Sequence, residues 1–177
     1  MWYPQFRWKR NKETSNWEKV ENCFTLLDWD KGYQKKEKDS SPFYPRSYSI
    51  FAFLANVRNY DHCEPISEPR GLPEDSIYLS ELVEDYIGNF NHRRDDISDD
   101  NYHSHSYLTL RELIEFDYDK TFWNRRITFT GASLAKEGEG TIISYRENLG
   151  EFFFTHLEEL KQLGDLDDVR IVFWFDN

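Results

Sequence analysis

Apolar and polar positions alternate at the start of the chain, where Trp2, Phe6 and Trp8 interleave with Tyr3, Gln5, Arg7 and Lys9. That period of two predicts a strand with one apolar face. The polar stretch 9–16 reads as a turn and Trp17 to Val20 as a second strand, so the N-terminal region is expected to be an antiparallel hairpin. At the other end, Val169-Arg170-Ile171-Val172-Phe173-Trp174-Phe175 is apolar at nearly every position. Such a run suits a strand covered on both faces, hence a central one. Strands at both ends of a chain are expected to pair in one sheet.

Helical spacing fills the middle. Ile50, Phe51, Leu54 and Val57 fall at intervals of one, three and three after Pro45, a helix-starting residue. Leu149, Phe153, Leu157 and Leu160 repeat every three to four residues, with Gly164 in the place of a C-terminal cap. Asp75 or Ser76 opens a short helix carrying Ile77, Leu79, Leu82 and Val83. Thr109-Leu110-Arg111-Glu112 has the capping-box form, and its helix is expected to end near Phe116. The polar stretch 31–41 reads as an exposed connection, 89–106 as a long loop and 128–137 as a turn region. Neither an internal repeat nor a Pro-, Gly- or Ser-rich linker divides the chain. Residues 1–177 are therefore read as a single α+β domain: an antiparallel sheet including both chain ends, packed with several helices and long loops.

A mean hydropathy of −0.82 resembles that of disordered chains, but those are poor in aromatics. Here Trp 6, Tyr 11 and Phe 14 fall in patterned segments, so the chain is read as folded. Lys+Arg 22 against Asp+Glu 33 give 22 − 33 = −11. That charge argues against a nucleic-acid backbone or an anionic membrane as partner, because both would repel it. No apolar run approaches the roughly 20 residues that span a bilayer. Met1-Trp2-Tyr3-Pro4 lacks the basic start and apolar stretch of a signal peptide, so a cytoplasmic location is expected. Cys23 and Cys63 are too few for a disulfide framework or a four-cysteine zinc site. Phosphate-loop, dinucleotide, nucleophile-elbow and His-Glu-x-x-His motifs are missing. An ordinary enzyme signature is absent, so the reading leans away from an enzyme without settling it, and names no catalytic residue and no cofactor.

Three constellations carry the candidate chemistry. In Asp99-Asp100-Asn101-Tyr102-His103-Ser104-His105-Ser106, an extended backbone would put both imidazoles on one side. His103, Ser104 and His105 then suit a phosphate, or with the aspartates a metal, or the fastening of a loop to the next helix. In Glu68-Pro69-Arg70-Gly71-Leu72-Pro73, the prolines fix the direction of Arg70, which can grip a carboxylate or phosphate, or pair internally with an acidic residue. Arg46 and Tyr48 stand at the start of the first helix, where free N–H groups suit an anion, and Arg58 at its end matches the helix dipole.

These pieces occur in a telling order. Arg46-Ser47-Tyr48 through Phe51-Ala52-Phe53-Leu54-Ala55-Asn56-Val57-Arg58-Asn59 is followed by Pro65-Ile66-Ser67-Glu68-Pro69-Arg70-Gly71-Leu72-Pro73, His103-Ser104-His105-Ser106-Tyr107-Leu108-Thr109-Leu110 and Val169 to Asp176. The set resembles a group of small acidic proteins encoded by bacteriophages and prophages, across most of the chain. That group opens its first helix with Asp-Arg-Asn-Tyr where this chain has Pro45-Arg46-Ser47-Tyr48. The resemblance implies a phage origin and little chemistry; for an acidic phage accessory protein without an enzyme signature, opposing a host defence is the expected role. Arg46, Tyr48, Arg58, Arg70, His103, Ser104 and His105 are the expected contacts to a sequestered small phosphorylated or nucleotide ligand. The alternatives are an acidic decoy for a host protein and a metal-dependent hydrolase at His103/His105.

Overall fold

A computed structural model describes residues 6–20, 23–28, 32–39, 42–43, 47–73, 75, 102–128 and 133–176. The N-terminal hairpin forms as expected: β1 (Phe6–Arg10) and β2 (Trp17–Lys19) pair antiparallel, with Trp8 opposite Lys19 and Arg10 opposite Trp17. Asn11 organises the turn, its side chain accepting from the Glu13 N–H at 2.9 Å and the Thr14 N–H at 3.2 Å.

After a two-stranded ribbon, β3 (Phe24–Asp28) and β4 (Gly32–Asp39), the chain enters α1 (Tyr48–Ala55). Then come β5 (Tyr102–Thr109), α2 (Leu110–Glu115), a second ribbon of β6 (Thr121–Asn124) and β7 (Thr141–Ser144), α3 (Tyr145–Lys161) and β8 (Val169–Asp176). The main sheet is antiparallel in the order β2-β1-β8-β5. The last strand is thus central and pairs with the first, as its unbroken apolar run requires. The fold is α+β.

Each helix is explained locally. Ser47 caps α1 by accepting from the Ile50 N–H, and Asn56 closes it in the left-handed conformation, with its N–H donating to Ala52 O at 2.9 Å. All eight residues of α1 are buried, because the helix is apolar all round rather than on the single stripe that the spacing suggested. The Thr109 capping box forms in full, and α2 ends before Phe116. A second capping box, Ser144 with Glu147, starts α3. Gly150 then breaks this helix, at φ 70 and ψ 175, a conformation essentially restricted to glycine. Beyond the break, Phe153, Leu157 and Leu160 present their expected face to the core.

Three expectations need correction. Helix α3 ends at Lys161 with Gln162 as its cap; Gly164 lies beyond it, where a Cβ would come within 3.3 Å of the Val169 side chain. Residues 32–39 form a strand rather than an exposed connection, and 102–106 belong to β5 rather than to a loop. The proposed helix after Asp75 lies outside the described residues.

One aromatic core fills the space between the main sheet and the helices. Phe43 stacks on Phe153 at 4.4 Å, Phe53 meets Phe153 edge-on at 5.6 Å, and Phe51 reaches Phe175 of the sheet at 5.0 Å. The β3–β4 ribbon is held to α3 by polar contacts. Glu159 accepts from the Thr25 N–H at 2.9 Å, and the buried His156 accepts from the Phe43 N–H at 2.8 Å. With Nδ1 of His156 accepting, Nε2 carries the proton and donates to Thr25 O at 2.7 Å, so the imidazole is neutral.

Candidate functional site

Side chains alternate across a strand, so β8 serves two environments. Ile171, Phe173 and Phe175 join the core beneath the helices, whereas Val172 and Trp174 join Trp8 and Trp17 in a second cluster on the outer face. Leu72 and Tyr107 pack against that second cluster. Arg170 shares the outer face: its β1 neighbour in register is Trp8, and its guanidinium lies 3.9 Å from the Trp17 ring centroid.

The segment around Arg70 is drawn onto this face. The Gly71 N–H donates to His105 O at 2.9 Å, with Gly71 at φ +78, an angle glycine adopts without steric cost. Arg70 lies over the Tyr107 ring at 4.9 Å and pairs with Glu112 at 2.7 Å, so the internal ion pair is realised. Further on, Asp75 accepts from Trp17 Nε1 with one oxygen and from Arg170 Nη1 with the other, both at 2.7 Å. Burial works to raise the Asp75 carboxyl, but hydrogen bonds from Arg170 and Trp17 outweigh it and hold it below its ordinary range. Burial pushes the Arg170 guanidinium below its usual value, with Asp75 pulling the other way.

Arg170 is only 5% exposed, yet among the described residues its Nε and Nη2 have no hydrogen-bond partner. These two N–H groups form one side edge of the guanidinium, the fork that grips an oxyanion with two parallel bonds. Trp8 Nε1 is likewise buried without a partner. Each such group is costly to leave unmade, so the three N–H donors of Arg170 and Trp8 on one face ask for an explanation.

The two histidines do not share a side. Register slips between His103 and Ser106, and Ser104 takes φ 56, so one extra residue is accommodated opposite β8. His103 consequently lies against Phe175 on the helix side, at 6.1 Å, and His105 against Trp174 on the outer side, at 5.8 Å. His103 Nδ1 contacts Ser104 Oγ at 2.8 Å, and His105 Nε2 is buried without a partner. Burial, helped by His103, drives His105 down to about 4. The expectation of two imidazoles on one side is therefore corrected by the bulge. Among the described residues no three His, Cys, Asp or Glu side chains cluster to hold a metal; Asp99 and Asp100 lie outside them.

Tyr48 and Arg58 form a separate group. The Arg58 guanidinium lies over the Tyr48 ring at 4.6 Å and donates to the Tyr48 hydroxyl. Arg46 lies outside the described residues. Arg126 donates to Arg58 O at 2.9 Å, pairs with the buried Asp61 at 2.5 Å, and lines a cavity of about 420 Å³ beside Ser47, Asn124 and Asn148. That volume would hold a small ligand, but Glu147 and Glu151 also line it and Asp61 already neutralises its arginine.

Among the described candidates, Arg70 and His105 meet on the outer face, His103 lies on the helix side of the bulge, and Tyr48 and Arg58 stand together as a separate group. Arg170, Asp75, Trp8 and Trp17 were missed. The signal was present in Arg170, the single charge within the apolar run from Val169 to Phe175.

Together these features define a small α+β protein with an arginine–aromatic site on the outer face of its sheet. No family model, curated protein or solved structure matches the chain. No helix among the described residues is long and apolar enough to cross a membrane.

Proposed function

We propose that the protein binds a small nucleotide-type ligand at the outer face of the sheet and removes it from solution. The observation that carries this reading is the empty side edge of Arg170, buried among aromatic rings. An Arg fork takes a phosphate oxygen pair, and exposed ring faces take a base by stacking. Tyr107, half-buried on this face, supplies a ring, and Arg70 a second cation nearby. For a phage-encoded chain, sequestration of this kind deprives a host defence of its signal without any catalysis.

The test is thermal unfolding of the full chain with cyclic nucleotides, nucleoside monophosphates and ADP-ribose. A ligand at 100 times its Kd stabilises by about 2.7 kcal/mol, which for a chain of this size raises Tm by roughly 5–10 °C. The rise should vanish in Arg170→Met. No shift with any nucleotide, or an equal shift in the variant, overturns the reading.

A further inference from the structure

The charges around the empty edge of Arg170 are already balanced. Asp75 sits 2.7 Å from Nη1 of that guanidinium. Among the described residues, two other arginines of the outer face are also matched: Arg70 by Glu112 at 2.7 Å, and Arg10, whose guanidinium is 4.8 Å from the Trp17 ring, by Asp168 at 3.9 Å. His105 stays uncharged at pH 7 because burial holds it down at about 4. What the site still offers is hydrogen bonding without surplus positive charge: Arg170 Nε–H and Nη2–H, and Trp8 Nε1–H across the strand pair.

Resting on the nucleotide reading above, we propose that this site selects a singly charged oxyanion, a phosphodiester or a carboxylate, over the dianion of a phosphomonoester. Three donors satisfy two oxygens. A first negative charge meets a guanidinium whose remaining edge is empty. A second finds Arg70 and Arg10, the arginines described nearby, already paired with carboxylates. The cost of taking an ion out of water rises steeply with its charge, and an ion pair offsets that cost only where the partner is available. Asp75, 54% exposed on its side chain, holds the Nη1 end of the guanidinium at the boundary with solvent. Asp75 therefore acts as a specificity residue: it neutralises Arg170 from one end and leaves the side edge for one further charge.

The test is titration calorimetry on the full chain at pH 8 with 3′,5′-cyclic AMP, a phosphodiester monoanion, against 5′-AMP, a dianion there. Benzoate and inorganic phosphate separate carboxylate from phosphate sources. Cyclic AMP should bind at least tenfold more tightly than AMP. Asp75→Asn keeps one acceptor oxygen for Arg170, gives up the second acceptor that Trp17 uses and removes the charge, so it should narrow that ratio at least tenfold. At pH 5 AMP is mostly a monoanion, and the wild-type ratio should narrow without any variant. AMP binding as tightly as cyclic AMP at pH 8 overturns charge selection while leaving nucleotide binding intact. Binding of benzoate alone, dependent on Arg170, supports charge selection and overturns the nucleotide reading. Binding of no probe, with Arg170→Met unchanged in every titration, overturns both.

Discussion

On the helix side of β8, Ile171, Phe173 and Phe175 join a continuous apolar cluster, with rings such as Phe51 and Phe175 in direct contact. On the other side of the same strand, Val172 and Trp174 share their surface with a buried guanidinium. Both faces exclude water, but they do so for different reasons. The helix side is closed by apolar side chains together with polar groups whose hydrogen bonds are made, such as His156 and the Tyr118 hydroxyl. The outer side closes over nitrogen atoms that keep hydrogen bonds in reserve, an arrangement that stability by itself does not favour. One strand thus separates an apolar core from a face that holds buried N–H groups without partners.

The sharpest break in that comparison comes from truncating one residue on each side. Phe153, fully buried against Phe43 and Phe53, should lose about 3–5 kcal/mol on Phe153→Ala, read as a lower urea midpoint. Arg170→Met should change stability by less than about 1 kcal/mol, or raise it. It removes a poorly satisfied buried cation, and the carboxylate left behind is half exposed and rehydrates. Asp75→Ala should cost more than Arg170→Met, because it strands the buried partner instead. If Arg170→Met costs as much as Phe153→Ala, the outer face is a second core and not a site.

A smaller effect separates the faces by pH. His105 is held at about 4 in the folded protein against an ordinary value of 6.5, so the unfolded chain takes up the proton first as pH falls. Its contribution is whole above about 6.5, is lost by up to about 1.4 kcal/mol per pH unit on the way down to about 4, and is flat below that. His105→Gln should remove this slope while the carboxylates, common to both proteins, cancel in the difference. Denaturant unfolding at pH 7 and pH 4.5 reads it directly. A wild-type loss no larger than the variant's would mean that His105 is solvated.

Much of the frame was legible because it rests on local rules. The hairpin, the central last strand and the Thr109 cap each follow from a pattern within about ten residues. What escaped depended on geometry that periodicity does not carry. Strand β4 is Gly-Tyr-Gln-Lys-Lys-Glu-Lys-Asp, too polar to announce a ribbon, and apolar spacing ran unbroken through Gly150 because it reports side chains rather than backbone angles. One inserted residue in β5 parted His103 from His105. Asp75 and Arg170 are 95 positions apart, so no local window pairs them. Arg170 could be seen as an anomaly in an apolar strand, but its role depends on which rings surround it.

The smallest expected effect tests the joint between the two sides. Thr109 ends β5 opposite Arg170 and caps α2, its hydroxyl accepting from the Glu112 N–H at 3.2 Å and donating to the Glu112 carboxylate at 2.8 Å. The same carboxylate takes Arg70 at 2.7 Å. Burial works to raise Glu112, but the Thr109 N–H and the Arg70 guanidinium outweigh it and hold the carboxyl below its usual range. Thr109→Ala should cost about 1 kcal/mol, a typical loss for a cap. Arg70→Ala should cost less than half of that, since the pair is about one-third exposed and screened by water and salt. Adding salt should shrink the Arg70→Ala difference and leave the Thr109→Ala difference in place, as measured by urea midpoints at low and high ionic strength. An Arg70 effect equal to the cap and insensitive to salt would instead mean that the strap over Tyr107 is fixed as firmly as the core, and the outer face would lose its distinction as the more weakly held side of the sheet.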